Sequence, residues 1–435
     1  MLSLQLALVI LFFTYVTKYF FTRGVFKSLD LVGKYLFFIF CVYQFPWLLA
    51  KVSGSIQFSG TSSGGSNQII GFTLPGILIY PIPDLSILFG TIFYIIKLVS
   101  TKAKQSPSVN SIFLLALIPF VSLISRGFSQ GEYPNKQPLL VILIIFAVSI
   151  STTSQENIVA SGTFLTLFAG WISCLIYFYD RELSVISCTD KCTFFGNLMS
   201  GIFSHNNLMG IIISSGFSFV WLNFKGRDQF FFCSFIIFLT YASGSRASYF
   251  SLLVQVAALI FTRKVNLQKF QGQLKVLALR IFLLVMTILS AFLPFAISSD
   301  QFGTGRGYLF RVAISYFIES PLIGRGSEFW TNQFNLGTFG RPSSYSPHNQ
   351  LLDILLLSGI VGGLVFAYFI VRWITTSTFE RLKILSPFLL GIIALGSAES
   401  PLSFGLATQT TTLLILFMLI FISKEDKVSS IKRDV

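Results

Sequence analysis

The chain has 435 residues, of which 53% are hydrophobic and only 11% are charged, and its formal net charge is +14. Soluble domains contain about a quarter charged residues, so this chain has less than half the charge needed to cover a water-exposed surface. The composition excludes a soluble enzyme, a disordered chain and a disulfide-rich miniprotein, and it predicts a polytopic integral membrane protein.

The predicted elements are apolar runs with almost no charge, and runs of about 18 or more such residues are typical of transmembrane helices. No small-residue cleavage site follows the first run, so we expect an uncleaved span and not a signal peptide. The predicted fold is therefore all-α, with about 12–14 transmembrane helices. The predicted spans are residues 2–20, 30–50, 84–99, 110–125, 139–151, 157–179, 206–224, 230–241, 249–262, 276–297, 351–373, 384–399 and 408–423.

Positive residues are distributed unevenly between the two ends of these spans. When the spans alternate across a membrane, 21 of the 31 Lys and Arg residues fall on one side. Because positive residues stay on the cytoplasmic side, we expect a cytoplasmic C-terminus and an outward N-terminus. The distribution of basic residues thus indicates how the chain is oriented in the membrane, and no nucleic-acid partner is predicted.

The predicted spans divide the chain into three regions. Residues 1–297 contain ten membrane helices with short loops, residues 298–350 form a large extracytoplasmic loop, and residues 351–435 contain the last helices and a cytoplasmic tail. A shorter outward loop contains Cys188 and Cys192, which allow either a local disulfide or two free thiols. Outward carboxylates are few and dispersed, so neither a metal site nor a cofactor is predicted.

Ten cations remain on the predicted outer side, and seven of them are Arg. Arg binds phosphate through two parallel hydrogen bonds, and orientation rules disfavour cations on this side, so the cluster suggests an anionic ligand. The alternative is a set of surface salt bridges with Asp300, Glu319 and Glu328. The four arginines of the long loop are Arg306, Arg311, Arg325 and Arg341.

Two of the outward arginines lie in turns of small residues. Arg246 follows a Ser-Gly-Ser string that allows close approach to a ligand, although contact with lipid headgroups is an alternative. Arg306 lies in the string Gly-Thr-Gly-Arg-Gly, directly before an amphipathic helix predicted over Tyr308–Ser320. A Gly-rich turn that leads into a helix N-terminus is a natural anion site, which favours a binding role for Arg306. For Arg311 the choice between ligand binding and capping of the helix surface is open.

The chain has two histidines, His205 and His348, and both are predicted on the outer side. Imidazole is the side chain best able to accept a proton near neutral pH, and neighbouring Arg residues disfavour its charged form. His348 is therefore a candidate general base, with a structural role in the loop as the alternative. Asn349 is predicted to cap the helix that follows it.

The order and spacing of these residues resemble the O-antigen ligase/O-antigen polymerase superfamily of membrane glycosyltransferases. The resemblance covers about residues 200–375, and it depends on several short strings that share an outward placement. The matching strings are Phe203-Ser204-His205-Asn206-Asn207-Leu208-Met209-Gly210, Ser245-Arg246, Gly305-Arg306, Pro321-Leu322-Ile323-Gly324-x-Gly326 and His348-Asn349 with Gly359 and Gly362.

The resemblance implies a GT-C-like fold and metal-independent transfer of a glycan from undecaprenyl diphosphate to an acceptor hydroxyl. Carried over by position, Arg246 and Arg306 bind the diphosphate, and His348 acts as the base on the acceptor. Further candidates for substrate binding are Arg311, Arg325, Arg341, His205 and Asn207.

The function that the resemblance implies is a polymerase of lipid-linked oligosaccharide repeats for O-antigen, capsule or exopolysaccharide. The loop of residues 298–350 is short for the ligases, which favours the polymerase branch. The alternatives are a ligase that transfers glycan to lipid A–core or protein, and a transporter of an anion or a lipid-linked sugar.

The partners implied by the resemblance are an undecaprenyl-diphosphate-linked glycan donor, a glycan acceptor (a lipid-linked repeat or lipid A–core), membrane lipid and a chain-length regulator. The location that it implies is the bacterial inner membrane, with the active site facing the periplasm.

Overall fold

The computed structural model describes residues 2–23, 29–52, 58–59, 68–69, 81–101, 111–130, 136–187, 192–263, 269–338, 346–405 and 408–423. The described chain is almost entirely helical. Arg341 and Cys188 lie outside the described residues, while Cys192 is disulfide-bonded. The helices, numbered in chain order, are α1 Leu2–Arg23, α2 Leu31–Val52, α3 Pro81–Thr101, α4 Leu117–Gln130, α5 Lys136–Ser149, α6 Gln155–Tyr179, α7 Arg181–Ser184, α8 Asn206–Ser215, α9 Phe217–Asn223, α10 Gly226–Ser243, α11 Arg246–Arg263, α12 Lys269–Ala296, α13 Phe302–Glu319, α14 Phe329–Asn335, α15 Gln350–Thr376, α16 Phe379–Gly396 and α17 Thr411–Ile422.

Short non-α elements join some of these helices. A 3-10 turn over Ser111–Ala116 leads directly into α4. Two antiparallel strand pairs are formed by β1 Phe58–Ser59 with β2 Gln68–Ile69, and by β3 Val185–Ser187 with β4 Asn197–Met199.

Each predicted span overlaps a helix, and the prediction of an all-α polytopic membrane protein is confirmed. Within the described residues, however, only five helices are long and apolar enough to cross a membrane by length and composition, while further apolar helices are shorter. One reason is that the predicted span 206–224 is divided at Gly216, where the backbone packs directly against Thr166. The five helices are Leu31–Leu49, Ile82–Thr101, Gln155–Tyr179, Val276–Ala296 and Gln350–Thr376.

Exposed apolar side chains identify the surfaces that face lipid. On α3, Phe89 and Phe93 are 65% and 66% exposed. Within the apolar stretch of α12, only 11% of the residues are buried. On a protein in water such surfaces would promote aggregation, whereas in a bilayer they are solvated by hydrocarbon. By contrast, α17 is buried almost throughout and lies at the centre of the helical core.

Polar contacts define two ends of the bundle. One end of the bundle contains the first residues of α8 and α15 and the last residues of α16. We call it the site end. Gln5 of α1 pairs with Asn197 of β4 near this end, whereas Tyr15 donates to Asp228 at the other end. Arg381 donates to the carbonyl of Ile420, so α17 finishes at the end opposite the site.

The helix α15 is broken in the middle at Gly359, whose φ of 62° and ψ of −158° are not helical. This backbone conformation is essentially restricted to glycine. The break exposes main-chain groups, which pair with the segment Pro321–Gly326: Arg325 N–H donates to Leu356 O (2.6 Å), and Ile360 N–H donates to Pro321 O (2.8 Å). Non-helical backbone in a membrane protein thereby keeps its hydrogen bonds within the chain.

The amphipathic character predicted for the loop helix is confirmed. Leu309 and Ala313 of α13 are buried in a cluster with Leu352 and Leu356, which lie on the first half of α15. The predicted start of this helix is wrong, because α13 begins at Phe302 and includes the Gly-rich string. The helix continues through this string because its N-terminal turn packs on residues 298–300. The distortion is confined to Gly305, which has a φ of 95°.

Candidate functional site

His348 lies at the start of α15 with a φ of 55°, in the left-handed region that non-glycine residues rarely adopt. The next residue, Asn349, holds it there. The side-chain Oδ1 of Asn349 accepts from Leu352 N–H at 3.1 Å and caps α15, as predicted. Its side-chain Nδ2 donates to Ser290 O at 3.2 Å and to Ser397 O at 3.4 Å. Because α12, α15 and the end of α16 are joined at one buried side chain, the backbone of His348 is fixed.

A carboxylate joins two of the residues predicted from the sequence. Glu399, in the turn after α16, accepts from Arg306 Nη2 at 2.5 Å and contacts His348 Nδ1 at 2.7 Å. The side chain of Glu399 is 6% exposed, compared with 16% for Arg306 and 19% for His348. The carboxylate is thus covered by an imidazole and a guanidinium that remain partly accessible. We call these three residues the His–Glu–Arg centre.

The charge of Glu399 is set by its neighbours. Burial alone would raise the pKa of this carboxyl, but His348, through charge and hydrogen bond, and then Arg306 and His205 outweigh burial and lower the pKa to about 2. Glu399 is therefore ionised throughout the physiological pH range.

The ionised carboxylate determines the protonation of the His348 ring. A carboxylate only accepts hydrogen bonds, so Nδ1 of His348 carries the proton that it donates to Glu399. In the neutral ring the other nitrogen, Nε2, is then a proton acceptor. This is the arrangement in which a buried acid orients a histidine base in hydrolases.

His205 lies at the start of α8 and acts electrostatically on the same centre. Its Nδ1 accepts from Asn207 N–H at 3.1 Å and caps α8, and its charge interacts with Glu399. The preceding residue, Ser204, donates to Gln409 at 3.0 Å, which ties this loop to the start of α17. His205 therefore lies close enough for its charge to lower the pKa of Glu399, while Asn207 contributes its main-chain N–H to the cap of α8.

Arg246 is connected to this region through the turn that precedes it. Asn206 Nδ2 donates to Ser243 O at 2.7 Å, and Gly210 lets α8 pack closely on the same turn. Gly244 makes the turn with a φ of 66°. The Arg246 side chain is exposed and has no hydrogen bond or ion pair in the part of the chain that the structure describes.

The other described arginines of the long loop have carboxylate partners. Arg311 pairs with Asp300 and donates to Ser298 O, and Arg325 pairs with Glu319. These contacts are the surface salt bridges that the sequence analysis gave as the alternative to anion binding.

Glu399 is the residue that the sequence analysis missed. Glu399 falls within the predicted span 384–399 and so is not among the predicted outward carboxylates. A signal was present, because Glu399 is the only charged residue between Lys383 and Lys424. A lone ionisable residue in a long apolar region of a membrane protein is a functional candidate by default.

No group of three or more His, Cys, Asp or Glu side chains among the described residues is arranged to hold a metal ion. What the site offers chemically is an oriented proton acceptor beside fixed positive charge. This combination suits transfer reactions in which a hydroxyl is deprotonated and an anionic group departs.

Residues 231–367 match a protein-family model described as O-antigen ligase. The matched segment contains Arg246, Arg306 and His348, begins after His205 and ends before Glu399. Comparisons with curated proteins and with solved structures give no match. The family-model match, over about a third of the chain, supports the O-antigen ligase/O-antigen polymerase superfamily.

Proposed function

We propose that this protein is a glycosyltransferase that joins undecaprenyl-diphosphate-linked oligosaccharide repeats of a surface polysaccharide. The observation that carries the proposal is the His–Glu–Arg centre, because it pairs an oriented base with a guanidinium beside it. In the proposed fold class, GT-C-like, these residues lie at the outer ends of membrane helices.

The proposed reaction assigns one task to each residue. The acceptor hydroxyl gives its proton to Nε2 of His348, and its oxygen forms the new bond to the anomeric carbon. The bond between that carbon and the diphosphate breaks, with both electrons going to the leaving diphosphate. Attack opposite the leaving group inverts the anomeric centre.

The two arginines stabilise the charge of the diphosphate in this proposal. A guanidinium has five N–H donors in a planar fork, so Arg306 can bind a phosphate oxygen while one nitrogen stays with Glu399. Arg246 supplies a second guanidinium without a partner of its own in the described chain. Fixed donors aimed at a developing charge lower the barrier, and here they do so without a metal ion.

Ligation to a different acceptor is the second candidate function. The printed description of the matching family model is O-antigen ligase, which favours this alternative. The chemistry at the donor is the same in both reactions. The acceptor, either a lipid-linked repeat or lipid A–core, decides between them.

We also propose the bacterial inner membrane as the location, with the site end in the periplasm. Basic residues at the opposite end support this orientation: Arg280 donates to Ser377 O, and Arg381 donates to Ile420 O. Positive residues favour the cytoplasmic side, so the C-terminus would be cytoplasmic.

Transport of a lipid-linked sugar would require a different role for the broken helix α15. Broken helices form substrate sites in many transporters. Here the main-chain groups at Gly359 are paired with Pro321–Gly326, and these contacts favour a scaffold for the site loop.

One assay separates these functions. Purified protein in detergent is given synthetic undecaprenyl-diphosphate repeats, with and without lipid A–core. Ladders of longer lipid-linked product support the polymerase, and product only with lipid A–core supports the ligase. Flux of the lipid-linked sugar in liposomes without product would support transport and reject both transferase readings. His348→Ala should abolish product while the protein still folds and inserts into the membrane.

A further inference from the structure

The long loop is held by α4 as well as by the break in α15. Ser125 of α4 donates from Oγ to Gly324 O at 2.5 Å, and Arg126 donates from Nη1 to Glu328 Oε2 at 2.6 Å. Both acceptors belong to residues 321–328, which we call the docking segment. The two contacts join residues that are 199 and 202 positions apart in the sequence, so α4 and the docking segment meet only in the folded protein.

The backbone of the docking segment fits closely between α4 and α15. A Cβ at Gly326 would lie 2.8 Å from Arg126 N and from Ser122 O, so glycine is needed where the two main chains pack together. On the other side, Gly326 N–H donates to Leu357 O at 3.2 Å. A single glycine thus contacts both helices, and the docking segment is held at a fixed distance from each.

Glu328 has a backbone conformation that its surroundings must stabilise. Its φ is 69°, in the left-handed region that His348 also occupies, and such backbone persists only where neighbouring groups hold it. The Glu328 side chain is held by Arg126, and its carbonyl accepts from Asn332 N–H of α14 at 2.7 Å. The ion pair is mostly buried, so water and salt screen it less than a surface pair.

The docking segment is continuous with the helix that carries Arg306. Only one residue separates the end of α13 from the docking segment. Trp330, just beyond the docking segment, packs in the same cluster as Leu309 of α13. Near the start of α13, Arg306 donates to Glu399. The helix α13 is therefore attached to the His–Glu–Arg centre at one end and, through the docking segment, to α4 at the other.

We propose that Arg126 is a positioning residue of the transferase site, which fixes the docking segment through Glu328 and thereby sets where Arg306 meets the diphosphate of the donor. This inference rests on the proposed function, and it adds a residue that precedes the segment matched by the family model. A displacement of about 1 Å in a group that binds the reacting atoms can cost about a hundredfold in rate, so the attachment of α13 to α4 affects turnover directly.

Hydrogen–deuterium exchange tests the attachment without any substrate. The N–H groups of Gly324, Arg325 and Gly326 each donate to a main-chain carbonyl, so their exchange reports release of the docking segment. In Arg126→Met protein in nanodiscs, we expect these amides to exchange about tenfold faster, the effect of losing one hydrogen bond to a charged group. Lys383→Met, which removes a half-exposed cation near the start of α16, is the matched control and should exchange like wild type.

A double substitution tests whether Arg126 acts through Arg306. We expect Arg126→Met and Arg306→Lys each to bind undecaprenyl diphosphate about tenfold more weakly than wild type. Because the guanidinium that Arg126 positions is already lost in Arg306→Lys, the combined variant should bind no more weakly than Arg306→Lys alone. Glu328→Gln removes the charge of the pair and keeps its size, so it repeats both measurements in a variant that leaves Arg126 in place.

The two measurements separate the inference from the function on which it rests. Unchanged exchange in Arg126→Met and Glu328→Gln would overturn the attachment, and additive losses of binding would overturn the action through Arg306. Faster exchange with wild-type binding would mean that the pair only stabilises the fold, which also overturns the inference. Failure of the wild-type protein to bind undecaprenyl diphosphate would reject the proposed function, while the exchange data, which need no ligand, would still report the attachment. Faster exchange with non-additive losses of binding is the result we expect.

Discussion

His348 and Glu399 are separated by 51 residues in the sequence, yet Nδ1 of the imidazole lies 2.7 Å from the carboxylate. The same carboxylate binds Arg306, so one buried group fixes both the base and the nearest positive charge. Glu399 is a positioning residue in this arrangement, because it acts through His348 and Arg306.

The charge of Glu399 should be required for turnover. In Glu399→Gln the shape is kept, but the amide can donate to His348 Nδ1 and so move the ring proton to Nε2. We expect product formation to fall by at least about a hundredfold, the effect of removing a general base. Glu399→Asp, which keeps the charge, should retain more activity. Ladder synthesis at saturating donor measures this, and wild-type turnover in Glu399→Gln would contradict the role.

The lowered pKa of Glu399 predicts a loss of stability in acid. The pKa is about 2 in the folded protein, compared with 4.5 as the ordinary value, so the unfolded state binds the proton first as the pH falls. The contribution of Glu399 is therefore fully present above about pH 5 and is lost between about pH 4.5 and pH 2. Thermal unfolding across this range should show a smaller loss for Glu399→Gln than for wild type. Parallel curves for the two proteins would contradict the assignment.

Burial of Lys51 predicts a change of stability in the alkaline pH range. Burial lowers the pKa of its ammonium group from 10.5 to about 7, so between these values only the unfolded state binds the proton. The free energy of unfolding should therefore rise with pH from about 7 to 10. Lys51→Met should flatten this rise, measured by thermal unfolding at pH 7, 8.5 and 10. An unchanged slope would mean that the amine is charged in the folded protein.

Much of the fold could be predicted because apolar runs and helix signals are local. The span that ends near Tyr179 and the Asn349 cap of α15 each depend on a few adjacent residues, and both were predicted. The break at Gly359 could not be predicted in the same way. Its main-chain groups are paired with a segment about 35 residues away, and sequence periodicity carries no information on such pairing.

The site was predicted in part for a related reason. Arg306 and His348 belong to strings with a recognisable order, whereas Glu399 has no string of its own and was hidden in an apolar run. The sequence offers Asp300 and Glu319 as carboxylates for surface salt bridges but does not decide between these pairs and anion binding. That choice depends on how α13 folds back on residues 298–300 and 319–326.

Arginine should not be replaceable by lysine at Arg306. An ammonium group is a point charge, so Arg306→Lys cannot bind Glu399 and a phosphate oxygen with one planar fork. We expect product formation to fall by at least about tenfold, the loss of one charge-stabilising donor. Arg311→Lys is the matched control, because its exposed pair with Asp300 contributes little and tolerates an ammonium. Equal activity of the two variants would mean that Arg306 supplies only its charge.

The break in α15 should be required to hold the site loop. In Gly359→Ala, the new methyl group would collide with the main chain of Leu322, and the φ of 62° with ψ of −158° would be strained. Backbone strain alone should cost about 1–3 kcal/mol of unfolding free energy. Activity should fall as well, because the segment that docks at the break continues from α13, which carries Arg306. Gly363→Ala is the control in the same helix, since its methyl group would meet side chains and not main chain, Leu355 at 3.0 Å and Leu351 at 3.9 Å. If thermal unfolding and ladder synthesis were unaffected in Gly359→Ala, the break would have no role in positioning the loop.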